Sequence, residues 1–451
     1  MTLADAYASP TSQFVPIYGR RRVGKSELIL KFLRGKPSLY FLGKQAPAQL
    51  QMREFLTGAA RALQQPLLGS LQAADWKSVI SAAVEQRPKG RKLVIVFDEF
   101  QWSAQASPEL PSVIQDLWDL RWRRSRDILL ILCGSFIGFM EREVLGKNSP
   151  LFGRRTAQIF LKPFSFCEAA EFHPAWSRRD RAQAYFICGG IPFYLRFFSA
   201  SDSIRTNIER NLLSEFAALH GEPDFLLREE LRELECYHGI LAALAEGPRT
   251  AREAAAASGI AERGLHYYLE QLIQLGYLAR RYPLTGRKPA ARLVRFALDD
   301  PLLRFWFRFV YPNLSYISHT DPRRSFLEVI QPELESYFGS CFERLCREAL
   351  PALYEAEGIG GPFEVGEYWD KNVQIDVVGR RKDGWIDIGE CKWGQVSSAT
   401  RLVEALRGKV PRYPNPENAT VQPRLFLRER LRGLKAATGV RVHGLEDLYR
   451  A

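Results

Sequence analysis

The segment Gly19-Arg20-Arg21-Arg22-Val23-Gly24-Lys25-Ser26 constrains this chain more than any other. Its spacing, G-x-x-x-x-G-K-[ST], has a physical use only where a strand hands over to a helix around a phosphate. The flanks comply: FVPIY before it is short, apolar and β-prone, and SELILKFL after it has helical spacing. Gly24 allows the tight turn that points backbone N–H groups at the anion. The helix that follows offers its unpaired N-terminal amides and the positive end of its dipole. Lys25 is expected to reach the β- and γ-phosphates, and the Ser26 hydroxyl to take one Mg²⁺ position. The candidate nucleotide-binding residues here are Gly19, Arg22, Val23, Gly24, Lys25, Ser26 and Glu27.

A second apolar run, LVIVF, ends in Asp98-Glu99, and a third, ILLILC, ends in Gly134-Ser135. Continuous apolar runs alternating with helical stretches predict a parallel sheet covered on both faces, where ligands bind at the carboxyl ends of strands. Asp98 is expected to hold Mg²⁺ and Glu99 to orient and polarise the attacking water. Ser135 is a candidate sensor of the γ-phosphate, with a polar turn residue as its plain alternative. In LFGRRT, Arg154 is a candidate for stabilising transition-state charge, in this chain or in a neighbouring subunit of a homo-oligomer; a solvated basic turn is the alternative.

The rest of the chain has room for further domains at 451 residues. With 46% hydrophobic and 25% charged residues, disorder is excluded as the default. A net charge of +12 favours an anionic partner such as nucleic acid or a membrane surface, nucleic acid before the other, with a merely basic soluble protein as the alternative. Seven cysteines without a CxxC pair fit a reducing cytoplasm, and no apolar run is long enough for a membrane span or secretory signal. Residues 164–232 read as mostly helical, interrupted by Gly189-Gly190-Ile191-Pro192. Residues 236–297 read as helix, helix, helix, hairpin, the order of a winged helix-turn-helix, with Thr250 and Glu253 as a capping box. Its recognition helix carries Arg263 and His266. Its wing carries Arg280, Arg281, Arg287, Lys288 and Arg292, interleaved with Tyr277 and Tyr282, and suits phosphate contacts; a winged helix that only packs domains together is the alternative. TDPRRS at 320–325 reads as a polar linker.

Beyond it stands a second acidic constellation. Glu343 lies on a helix, Asp376 in the alternating stretch NVQIDVVG, and Glu390-Cys391-Lys392 at the end of WIDIG. Asp376 and Glu390 can share a divalent cation with the Cys391 carbonyl, and Glu343 is a further candidate ligand. Lys392 shares a strand face with Glu390 and can position water or stabilise phosphorane charge. A hairpin with surface charges, or a degenerate fold that binds DNA without cutting, is the alternative.

Taken together, IYGRRRVGKSELILKF, LVIVFDEFQW, ILCGSFIGFM, SPLFGRRT, GGIPFYL, IDVVG and GECKW resemble the archaeal-type P-loop ATPase family, which is similar to AAA+ and STAND proteins. The resemblance implies a multidomain α/β chain. Its parts are a P-loop parallel-sheet core (1–163), a helical lid (164–232), a winged helix-turn-helix (233–319) and a C-terminal domain (326–451) that looks like the PD-(D/E)xK nucleases. It implies ATP and Mg²⁺ as ligands, with Mn²⁺ an option at the nuclease-like site. It carries Gly24, Lys25, Ser26, Asp98 and Glu99 onto the first site and Asp376, Glu390 and Lys392 onto the second. The glycine- or asparagine-arginine-glutamate segment usual before the first strand of this family is not matched in residues 1–13. The expected function is an ATPase coupled to DNA binding and metal-dependent DNA cleavage; the alternative is a nucleotide-dependent switch that binds protein or DNA and cuts nothing.

Overall fold

The structure, a computed structural model, describes residues 2–72, 74–287, 289–430 and 439–450. It divides into two compact units, Met1–Pro163 and Phe164–Ala451.

In the first unit the apolar runs are strands of one sheet: β1 (Gln13–Tyr18), β2 (Ser38–Leu42), β3 (Leu93–Asp98), β4 (Ile128–Gly134) and β5 (Ile159–Phe160). They are all parallel, in the order β2-β3-β4-β1-β5. Every residue of β1, β3 and β4 is buried, which explains why they read as continuous apolar runs and not as alternation. Alternate residues serve two cores. Val15, Ile17, Val94, Val96, Leu129 and Ile131 face the helices Leu3–Ala8 and Lys25–Leu33. Phe14, Ile95, Phe97, Leu130 and Leu132 face helices Ala48–Ala62, Trp76–Glu85 and Leu110–Leu117. The helix Leu3–Ala8 starts in a capping box made by Thr2 and Asp5, a T-x-x-D signal that the sequence reading passed over.

The second unit opens with helices. Among them Leu234–Ala245, Ala251–Ser258 and Glu262–Gln274 precede an antiparallel pair, β6 (Leu278–Arg281) and β7 (Arg295–Leu298), in the predicted order and with the predicted Thr250–Glu253 box. The expected linker at 320–325 is not one. Asp321 caps, and Pro322 opens, a helical turn, Pro322–Ser325, that runs on through 326–330 into Gln331–Ala356, and Ser325 is fully buried. Asp followed by Pro is a helix-start signal, and it outweighs the polarity of the segment.

The long helix packs on a second sheet: β8 (Phe363–Trp369), β9 (Gln374–Arg381), β10 (Trp385–Lys392), β11 (Thr420–Leu427) and β12 (Arg441–Gly444), ordered β12-β11-β10-β9-β8. β8, β9 and β10 are antiparallel neighbours, while β10, β11 and β12 run parallel. Helix Ala399–Lys409 makes the β10-to-β11 crossover and buries Leu402, Val403 and Leu406 against Ile388 and Leu425. Among the described residues no helix is long and apolar enough to cross a membrane.

Phe97 anchors the first unit: fully buried, it stacks on Phe55 at 5.7 Å and meets Phe41, Trp76 and Phe100 edge-on. Phe97→Ala is expected to cost about 3–5 kcal/mol in a denaturant melt, the range for deleting a buried aromatic ring.

Candidate active site

β1 ends at Tyr18, and the loop leaves it through Gly19 at φ 154°, where a Cβ would collide with the Leu161 carbonyl oxygen. Gly24, at φ 92°, caps helix Lys25–Leu33 in a left-handed conformation. Arg22 also holds positive φ, 68°, and Val23 is buried beneath the loop. Lys25 is buried, and its ammonium donates to the Gly19 carbonyl at 2.9 Å and the Arg20 carbonyl at 2.8 Å. Burial lowers its pKa, against the raising effect of Asp98 and Glu99 among other neighbours. The loop thus curls around the lysine head.

The acidic strand does not neighbour the loop strand. β4 lies between β1 and β3, which puts Ser135 between the loop and Asp98-Glu99. Asp98 is fully buried, and its carboxylate is met by protein donors. Its Oδ2 accepts from Ser26 Oγ and from the Tyr40 hydroxyl, both at 2.6 Å, and its Oδ1 from the Glu99 backbone N–H at 2.9 Å. Burial, followed by the bond to Asp98, holds the Tyr40 hydroxyl far above its ordinary pKa, so it stays a donor. Glu99 sits at φ 47°, left-handed for a residue with a side chain. Its Oε2 accepts from Ser135 Oγ at 2.6 Å and from the Gln101 amide, which also donates to Ser135 Oγ at 3.2 Å. The structure therefore brings together Gly19, Gly24, Lys25, Ser26, Asp98, Glu99 and Ser135. Glu27 lies in the first turn of the same helix with its side chain exposed, and Arg154 is taken by a bidentate pair with Asp119, at 2.7 Å to Oδ2 at its closest.

In the second unit β9 and β10 stay paired only as far as Val377–Gly389. Beyond that pair the Asp376 carboxylate takes over the ladder, with Oδ2 accepting the Cys391 N–H at 2.9 Å. Glu390, also buried, meets Lys392 at 3.0 Å and Lys409 from the crossover helix. Glu343 approaches from the long helix. One turn on, Arg347 donates to the Asp376 carbonyl at 2.6 Å. Burial, then Glu390, pushes the Asp376 carboxyl up to about 6; burial, then Asp376, pushes Glu343 up to about 7. Among the described residues no three His, Cys, Asp or Glu side chains form a ready metal cage.

The predicted wing is built differently from expectation. Tyr277 is a core residue whose hydroxyl donates to Glu230. Arg280 pairs with Glu270, and Arg281 turns inward to Glu367 at 3.2 Å. The following loop lies on β8: Leu284 N–H donates to the Glu367 carbonyl at 2.7 Å, and Tyr413 donates to the Leu284 carbonyl at 2.9 Å. Arg263, His266, Tyr282, Arg287 and Arg292 remain exposed, and Lys288 lies outside the described residues.

Residues 2–198 match a family model described as an ATPase domain predominantly from Archaea. Over that stretch the chain is similar to archaeal P-loop ATPase domains. Residues 306–402 match a second family, described as archaeal and bacterial proteins of unknown function. An uncharacterized protein of Methanocaldococcus jannaschii is 29% identical over 379 residues, 83% of this chain and 81% of that protein. The Walker-type ATPase of Pyrococcus abyssi shares the fold at TM-score 0.50 and 19% identity, over 68% of this chain and 93% of that one. The ORC2 protein of Aeropyrum pernix, in ADPNP and ADP complexes, aligns at TM-score 0.41 and 16% identity, over 72% of this chain and 91% of that one.

Three polar partners escaped the sequence reading. Gln101 lies two residues past Glu99 and was legible as a helix-start polar group in DEFQ. Tyr40 alternates inward from β2, and Lys409 closes the crossover helix; neither has a local signal. In the first unit, Lys25→Ala is expected to abolish ATP binding by calorimetry, because it removes the buried ammonium that the loop carbonyls of Gly19 and Arg20 surround. Glu343 generates a pH prediction. Its folded pKa is raised, so the native state binds more protons than the unfolded chain between about pH 4.3 and 7. Stability should fall as pH rises through that window. Denaturant midpoints at pH 5 and pH 8 should differ less in Glu343→Gln than in wild type.

Proposed function

We propose that this protein binds and hydrolyses ATP at Gly19–Ser26 and uses the cycle to control a C-terminal metal-dependent DNA-cleaving site. The observation that carries the first half is the 2.6 Å contact between Ser26 Oγ and Asp98, with Glu99 beside it. A hydroxyl and a carboxylate are hard oxygen donors, and they fit Mg²⁺. Bound there with nucleotide, Mg²⁺ would neutralise charge on the β- and γ-phosphates. Lys25, freed from its loop carbonyls, reaches those same oxygens. Among the described residues Glu99 is engaged only through Oε2, which leaves Oε1 to take a proton from the water that attacks the γ-phosphorus. The P–O bond to the β-phosphate breaks, and ADP and phosphate leave. Ser135 shares its hydroxyl with Glu99, so a γ-phosphate competing for that hydroxyl would loosen Glu99. Glu99→Gln should keep ATP affinity and lose turnover by about 10²-fold or more, the usual contribution of a general base. Equal turnover by both proteins removes Glu99 from that role.

The DNA-cleaving half rests on two buried carboxylates, Asp376 and Glu390, at a forked strand pair with Lys392 adjacent. Burial first, and the Glu390 carboxylate second, raise the Asp376 carboxyl, and these hard oxygen donors suit a divalent cation held by Asp376, Glu390 and the Cys391 carbonyl. The cation would supply a lowered pKa to bound water. Lys392 and Lys409 would steady the charge on the phosphate. DNA contact through helix Glu262–Gln274, with Arg263 and His266 exposed, is better supported than contact through the docked loop. Wild type should nick supercoiled DNA with Mg²⁺ or Mn²⁺, and Asp376→Ala, Glu390→Ala and Lys392→Ala should not. Equal nicking by all four overturns this half.

A regulatory switch that cuts nothing is favoured by a different observation: Lys392 and Lys409 both neutralise Glu390, and the 283–285 loop is fastened to β8. Nucleotide-dependent assembly in light scattering, with no nicking, is its expected behaviour.

A further inference from the structure

We infer that an arginine-lined cavity in the Phe164–Ala451 unit is a binding site for a phosphate monoester. The cavity, about 260 Å³, lies between β6–β7, the helical run 301–310, the long helix and the start of β9. Arg281, Arg295, Arg304 and Arg308 line it.

The ion pairs leave two of these cations over. Arg281 has Glu367, Arg308 has Glu333, and a third lining carboxylate, Glu246, has Arg249. Among the described residues neither Arg295 nor Arg304 forms an ion pair; the carboxylates that act on them, Glu253 on Arg295 and Asp299 on Arg304, do so at longer range. Arg295 lies 4.7 Å from the centre of the Trp369 ring. Arg304 reaches only the Tyr337 hydroxyl at 3.4 Å and Cys341 Sγ at 3.2 Å. Burial raises the pKa of both partners, so neither supplies negative charge near neutral pH. A guanidinium cannot shed its proton, and confined without a counter-charge it is costly. Glu343 also reaches the wall, and it answers one positive charge at most.

Two guanidinium groups that hold only neutral partners match a doubly charged tetrahedral group better than a single carboxylate. Ser336 and Ser340, one turn apart on the long helix, add neutral donors at the wall. Trp369 and Tyr337 provide a flat apolar side for a small organic portion. The volume admits a phosphate with a sugar-sized group and excludes a duplex. None of this depends on metal or cleavage chemistry at Asp376, so binding here and nicking there can fail independently.

A free mononucleotide and the 5′-phosphate of a DNA strand share this chemistry. The test is calorimetry in a Lys25→Ala background, which removes phosphate uptake by the P-loop. The probes are thymidine 5′-monophosphate, thymidine, inorganic phosphate and a 5′-phosphorylated thymidine trinucleotide. The monophosphate should bind, thymidine should not, and inorganic phosphate should compete. Arg304→Gln and Arg295→Gln should each weaken the monophosphate about 10-fold or more. Arg295, stacked on the cavity wall, remains informative should Arg304→Gln fail to fold. Binding of the trinucleotide assigns the site to a strand end; its failure beside monophosphate binding assigns it to a free ligand. No monophosphate binding, or binding unchanged in Arg295→Gln, overturns the inference.

Discussion

Asp98 is the residue on which the ATPase domain turns. A carboxylate with no solvent exposure must have its lone pairs satisfied by the protein. It recruits one donor from the helix after the loop, Ser26, one from β2, Tyr40, and one from its own chain, the Glu99 N–H. Three separate segments are thereby brought to one point at the carboxyl edge of the sheet. The insertion of β4 between β1 and β3 sets the span they must cross. It also delivers Ser135 into the gap, where its hydroxyl holds Glu99. Ser26, Asp98, Glu99 and Ser135 are thus parts of one hydrogen-bonded set.

What could be read from the sequence follows from which interactions are local. β1, β3 and β4 were legible because burial on both faces leaves continuous apolar runs, and the loop because its spacing serves one purpose. Thr250–Glu253 was legible because a capping box closes within one turn. Tyr40 was not, because its partner is 58 residues away and nothing in SLYFL separates a core tyrosine from a donor to Asp98. Arg154 looked available in SPLFGRRT, and its bidentate partner Asp119 comes from an earlier helix. Tyr277 and Arg281 misled for the same reason. Alternation around basic residues suggests an exposed wing, but their partners, Glu230 and Glu367, come from other elements. The 320–325 segment was misread by composition, although Asp321-Pro322 carried the right local signal.

The second acidic cluster has a different electrostatic character from the first. Asp98 is surrounded by donors. Asp376 is buried with one backbone N–H on its carboxylate and Glu390 nearby, and burial, then Glu390, raises its pKa. The strand fork explains why: pairing between β9 and β10 ends at Val377–Gly389, so the groups beyond it must find other partners. Cys391 N–H finds Asp376, and the Asp376 carbonyl finds Arg347. The fork is thus held open by the residues that give the cluster its charge.

Arg347 extends that arrangement to the hairpin. Its guanidinium also stands 3.5 Å from Glu367, and Glu367 pairs with Arg281 of β6. A continuous chain of charge-assisted contacts therefore runs from the β6–β7 pair through β8 to the Asp376 carbonyl. All its members are largely withdrawn from water, so undoing any one link would leave a charge poorly solvated. The backbone bonds of the 283–285 loop to β8 reinforce the same seam. Any movement of the hairpin relative to the sheet must therefore break ion pairs and backbone bonds together. The Asp376 fork stands at the end of that run of contacts.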